Sequence, residues 1–170
     1  MKTDMKNSLL IFTVLVVLLG CEKAEIENKS NIRKDAELLG ELKNSSVDTL
    51  KIGSNHLILD AFLWRDFMPE SPAGGSPLLS VNRLIDIDFT GIPGNIDLVK
   101  QYVVYNDSIW ISDYENETLP STDYKKEKIS RNGPKWGPKV FVNVISKIHD
   151  SDLNKDYYLK AENIYIVRTD

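Results

Sequence analysis

Two histidines, His56 and His149, and one cysteine, Cys21, are all the imidazole and thiol groups in the 170 residues. A disulfide framework needs cysteine pairs, and zinc sites built on Cys-x-x-Cys cannot form. His56 and His149 are far apart in the chain, and neither accompanies a nucleophile motif of the Gly-x-Ser-x-Gly kind, so both read as surface or structural histidines. Paired carboxylates are the remaining route to acid/base work, with Asp60, Asp66, Asp86 and Asp88 as the candidates for a hydrolase. Of these, Asp86 and Asp88 alternate along one strand and are expected on its solvent face. Asp150, Asp152, Asn154 and Asp156 place oxygens at alternate positions, as calcium loops do. However, Lys155 stands where the sharp turn wants glycine, and Ala161 where a bidentate glutamate would close the site, so a solvated turn is expected. The expectation is a protein that is not an enzyme and uses neither cofactor nor metal.

Binding chemistry has more to work with. Arg65 and Asp66 lie between Trp64 and Phe67, where a strand runs into a loop at Pro69. A guanidinium there can stack on a ring or clasp a carboxylate. Successive strand residues point to opposite faces, so Arg65 and Asp66 are not expected to pair with each other. The competing expectation is a strand-end plug that ties down the following loop. Gly133-Pro134-Lys135-Trp136-Gly137-Pro138 presents a tryptophan on a loop that is stiff at proline and permissive at glycine. Together with Trp64 and Trp110, Trp136 is a candidate for a carbohydrate-binding platform. The exposure of the three rings decides between that platform and ordinary packing.

The beginning of the chain suggests where the protein resides. Lys2 and Lys6 precede an uncharged run from Leu9 to Gly20, too short to span a bilayer comfortably but suited to a secretory signal peptide. The run ends in Leu18-Leu19-Gly20-Cys21, which resembles the bacterial lipobox, in which the cysteine receives diacylglycerol after cleavage. Buried acyl chains stabilise membrane attachment by about 0.8 kcal/mol per methylene, so a doubly or triply acylated Cys21 would hold the protein on a membrane. Residues 1–20 are read as the signal peptide. Their removal takes away Lys2, Lys6 and Asp4, a net +1, and moves the formal charge from −4 to −5. That acidity argues against a nucleic-acid partner and against attraction to anionic lipid. The expected location is the bacterial cell envelope, most simply the outer membrane.

These candidates must be positioned by two stretches of different texture. Residues 21–46 are dense in charged and amide side chains and predict a flexible tether, within which Asp35 caps a short helix carrying Ala36, Leu38, Leu39 and Leu42. Residues 47–170 carry short runs rich in Val, Ile, Tyr, Phe and Trp, punctuated by Gly, Pro, Asn and Asp. Strands are expected from Val47 to Ile52, from His56 to Phe67, across Leu79 to Thr90, on both sides of Asn106-Asp107-Ser108, around Val140 to His149, and from Tyr157 to Thr169. In the third of these, Val81, Ile85, Ile87 and Phe89 are expected on the dry face. The stretch between Tyr114 and Lys139 reads as irregular. The predicted fold is all-β, an immunoglobulin-like antiparallel β-sandwich of seven to eight strands, with a small β-barrel as the alternative.

The segments Leu63-Trp64-Arg65-Asp66-Phe67-Met68-Pro69 and Gly133-Pro134-Lys135-Trp136-Gly137-Pro138, with the closing run Tyr158 to Asn163, resemble a family of small, uncharacterised bacterial secreted or lipid-anchored proteins. The resemblance implies one β domain and carries over no catalytic residue. The functional expectation is a non-catalytic binding or structural module held on a membrane through acylated Cys21, with a protein or a glycan as its partner.

Overall fold

The computed structural model of the chain describes residues 31–117, 119 and 121–170. The expected leader over residues 1–20, Cys21 and residues 22–30 lie outside the described residues. The fold is all-β with one short helix. Its elements are β1 (Asn31–Arg33), α1 (Ala36–Ser45), β2 (Ser46–Val47), β3 (Thr49–Ile52), β4 (Asn55–Asp66), β5 (Leu78–Asp86), β6 (Ile96–Tyr105), β7 (Ser108–Asp113), β8 (Lys125–Gly133), β9 (Phe141–Asp150) and β10 (Lys155–Thr169). Eight strands, β3 to β10, fall within the stretch read as the β domain.

The strands form one mixed, curled sheet in the order β1-β7-β6-β9-β10-β4-β5-β8, with β2 beside β10 and β3 beside β4. The curl comes from β10. Its first half runs antiparallel to β9, its register shifts between Ala161 and Ile164, and its second half runs parallel to β4. A bulge bends a strand and increases its twist, and Asn163 sits in it with a φ of 56°. The two halves of the sheet thereby face each other across one core, in which Leu57, Leu63 and Leu84 meet Val103, Trp110, Val144 and Ile148. This half-barrel lies closer to the barrel alternative, although its core is still enclosed by two facing sets of strands.

Local signals account for the hairpins. β3 and β4 are joined through Gly53 at a φ of 60°, and β6 and β7 through Asn106 at 55°, both in the left-handed region that Gly and Asn tolerate. Helix α1 begins where expected, with the Asp35 carboxylate accepting from the Leu38 N–H at 3.0 Å. The helix belongs to the folded unit. Leu42 is only 3% exposed, and with Leu38 and Leu39 it packs against Tyr102, Val104, Ile109 and Ile145. Residues 31–46, read as tether, therefore supply β1, α1 and β2 to the domain.

Two expectations are corrected. The stretch between Tyr114 and Lys139 contains β8, which escapes a search for apolar alternation because both of its faces carry charged or polar side chains, Lys126, Lys128 and Ser130 on one and Lys125, Glu127 and Arg131 on the other, with Ile129 its one large apolar residue. In β5 the inward set is Leu78, Ser80, Asn82, Leu84 and Asp86; of the residues expected on the dry face Val81 is buried and Ile85 half-buried, while Ile87 and Phe89 lie beyond the strand and are exposed. The interior tolerates these polar groups because most of their atoms find partners. The Asn82 amide donates to Gln101 Oε1 at 2.5 Å and to Tyr114 Oη at 3.0 Å, and Tyr114 meets Ser146 Oγ at 2.6 Å. Burial raises the Tyr114 phenol well above its ordinary value, against the opposing bonds with Ser146 and Asn82, so it stays protonated. Asp86 leaves the solvent face for the same reason. Its Oδ2 accepts from Asn55 Nδ2 at 2.9 Å, Thr90 Oγ1 at 2.8 Å and the Gly91 N–H at 3.1 Å.

Candidate functional site

Alternation along β4 sorts the expected site residues. Leu57, Leu59, Ala61, Leu63 and Arg65 face inward, while Phe62, Trp64 and Asp66 face outward. Arg65 is 3% exposed. Its guanidinium donates to the backbone carbonyls of Ser76 at 2.9 Å, Gly74 at 2.5 Å, Gly137 at 2.7 Å and Lys135 at 3.1 Å. It also lies 5.0 Å from the centroid of Phe67. A single buried cation thus ties the two Gly/Pro-rich loops to the end of β4. Those bonds leave little of the guanidinium for a ligand, and burial lowers its pKa. The loop after β4 is closely fitted, since a Cβ on Gly75 would lie 2.6 Å from the Phe67 ring.

The three tryptophans part company. Trp110 points into the core, is 1% exposed, and covers Gly133 so tightly that a Cβ there would come within 2.7 Å of the ring. It contributes no ring to a surface platform, which corrects its candidacy for binding. Trp136 is half-buried and packs on Tyr105 at 5.5 Å. Trp64 is half-buried on the outer face, 5.3 Å from Phe62 at an interplanar angle of 33°.

Around Trp64 the register assembles an aromatic surface. Trp64 pairs with Val167 of β10 on one side and with Leu79 of β5 on the other, and Phe141 of β9 pairs with Tyr165 of β10. The Phe141 and Tyr165 rings are 5.3 Å apart. Phe62, Phe141 and Tyr165 are all exposed, Phe141 to 61%. Beside them runs an ion-pair ladder in which Arg83 is held 2.9 Å from Asp60 and 2.7 Å from Glu127. At the loop end, Trp64 and Asp66 line the same open depression of about 360 Å³ with Met68, Ser76, Leu79 and Thr169. Bonding from the Met68 N–H, opposed by partial burial, keeps the Asp66 carboxyl below its ordinary value, so the depression carries an anion.

No protein-family model, curated protein or solved structure matches the chain.

The remaining candidates serve local structure. His56 lies 2.5 Å from Asp88, and His149 lies 2.8 Å from Asp156, which also holds Lys147 at 2.7 Å. Asp150 Oδ1 accepts from Asn95 Nδ2 at 2.7 Å and from the N–H groups of Asp152 and Leu153, closing the β9–β10 turn. Burial pushes the Asp150 carboxyl up, but these bonds outweigh it and lower the pKa. Among Asp60, Asp66, Asp86 and Asp88, the first is committed to Arg83, the third to its own turn and the fourth to His56. The surface residues not singled out beforehand are Phe62, Phe141 and Tyr165. One signal was available for Phe62: it shares parity with His56, Asp60 and Asp66, three of the polar members of its strand.

Proposed function

We propose that the protein is a non-catalytic binding module of the bacterial envelope, anchored through acylated Cys21, and that it docks a partner protein on the outer face of β4, β9 and β10. The carrying observation is the exposed row of Phe62, Tyr165 and Phe141 leading to Trp64 and the Asp66 depression. Exposed apolar residues scattered singly need no explanation, whereas grouped aromatic rings beside charged groups have the composition of an interface. A partner segment with apolar anchors and one Lys or Arg would fit the rings and the Asp66 carboxylate. The anchor rests on the Leu18-Leu19-Gly20-Cys21 junction after a charged start and apolar run. The non-catalytic reading is supported by the commitment of Asp86, Asp88, Asp156 and both histidines to structural pairs.

A photoreactive residue placed at Phe62 or Phe141 in cells is expected to give one discrete cross-linked product, and one at exposed Lys51 on β3 none. Equal products at all three positions, or none, would contradict the docking surface. A second reading, a glycan site, is favoured by one observation, the grouping of Trp64 with Asp66, Ser76 and Thr169 around the depression. Quenching or enhancement of tryptophan fluorescence by envelope oligosaccharides, lost in Trp64→Phe, would support it over a protein partner.

A further inference from the structure

We propose that the end of the half-barrel carrying Phe89, Tyr124 and Leu153 rests in the lipid–water interface, which rests on the reading of Cys21 as a lipid anchor. Strand directions place the β3–β4 turn, the β5–β6 loop, the β7–β8 loop and the β9–β10 turn at one end of the sheet. The described chain starts towards that end: β1 is antiparallel to β7, with Asn31 opposite Ile111, two residues before β7 finishes at Asp113. Ten residue steps separate Cys21 from Asn31, a reach of at most about 35 Å. The ten-residue β9 is itself about 33 Å long. The near end can therefore touch the bilayer with chain to spare, whereas the far end would use nearly the whole reach.

That same end carries the most exposed large apolar side chains among the described residues, Phe89 at 70% and Leu153 at 66%. Phe89 and Tyr124 pack edge-on, 5.0 Å between centroids, which joins the β5–β6 and β7–β8 loops. The Ser151 N–H bonds to the Asn95 carbonyl at 2.9 Å, which joins the β9–β10 turn to the same rim. Phe89 holds a φ of 57°, a conformation unfavourable for a bulky residue, and the ring it directs outward gains little from packing within the chain. Aromatic and aliphatic tips on one rim, next to an acyl anchor, suit the headgroup boundary, where apolar area adds to attachment. Asp88, Asp123 and Asp152 stand exposed on this rim, so a zwitterionic phospholipid surface is the matching one.

Acylation consumes the single thiol of the wild-type chain, so Phe89→Cys, Leu153→Cys and Phe141→Cys each provide one site for a nitroxide label. The full acylated proteins are reconstituted in phosphatidylcholine/phosphatidylethanolamine vesicles, and spin-label collisions with oxygen and with a water-soluble nickel chelate are compared. Labels at 89 and 153 are expected to favour oxygen several-fold over the chelate, and the label at 141 to do the opposite. Water-like behaviour at 89 and 153 would overturn the proposal. The intact mass tests the anchor separately: absence of acyl mass refutes the anchor reading, and the labels at 89 and 153, repeated in a Cys21→Ser background, then decide whether the rim enters lipid.

Discussion

Over β6, β7, β9 and the first half of β10, the outward side chains Tyr102, Val104, Ile109, Ile145 and Tyr158 lie beneath α1. Over β4 and the second half of β10, Phe62, Trp64 and Tyr165 also face outward, and no described element covers them. Both regions are apolar outer faces of the same sheet, and in a free-standing domain a sheet face of this kind is ordinarily covered or polar. Among the described residues, only the first is covered by the chain itself. Apolar side chains under α1 contribute to folding, while those on the open face leave water only when something else arrives. On the proposed reading, the difference separates residues that stabilise the fold from residues available for contact.

The largest effect is expected where the open face is held from within. Arg65→Met removes the donor for four carbonyls in two loops, and orphaned buried acceptors together with lost packing should cost about 3–5 kcal/mol. Urea unfolding measures this, and a loss below about 1 kcal/mol would show that the loops do not depend on the guanidinium. On the covered face, Leu42→Ala leaves a cavity under α1 and should cost about 2–5 kcal/mol in the same experiment.

The buried turn at the end of β5 gives a pH signature. Burial would raise the Asp86 carboxyl, but hydrogen bonds from Asn55 and Thr90 and from the backbone N–H groups of Asp88 and Thr90 win, and bring it from 3.8 to about 2. The unfolded chain thus binds more protons between these values. Stability from Asp86 is fully present above pH 3.8 and is lost as pH falls towards about 2. Asp86→Asn should be less stable at neutral pH and show a flatter melting temperature across that acid window. The smallest effect is a gain: Gly40 is helical and a Cβ there would meet nothing within 4 Å, so Gly40→Ala should stabilise α1 by up to about 1 kcal/mol. Thermal melts would show it as a modest rise in Tm.

Much of the fold was legible because its punctuation is local. Asp35 marks the start of α1, Gly53 and Asn106 mark tight turns, and the β9 alternation of Val142, Val144 and Ile148 shows its inner face directly. What was hidden is non-local. Asn82 and Asp86 point into the core because Tyr114, Gln101 and Asn55 come from elsewhere to bond them, so polarity misassigned the β5 face. β8 was missed for the same reason. The parallel pairing of β10 with β4, which produces the curl, joins segments a hundred residues apart. Trp64 and Asp66 were legible as surface candidates, but Phe141 and Tyr165 reach them only through that pairing, and Trp110 could not be known as buried before its strand had a face.

The most direct test is the double variant Phe62→Ser/Phe141→Ser, assayed for urea stability and for the cross-linked product obtained from a photoreactive residue at Tyr165. Because both rings are exposed, the expected stability loss is about 1 kcal/mol or less for each, from the aromatic pairs alone, with the product abolished. A collapse in stability with the product retained would mean that the open face serves the fold and not a partner.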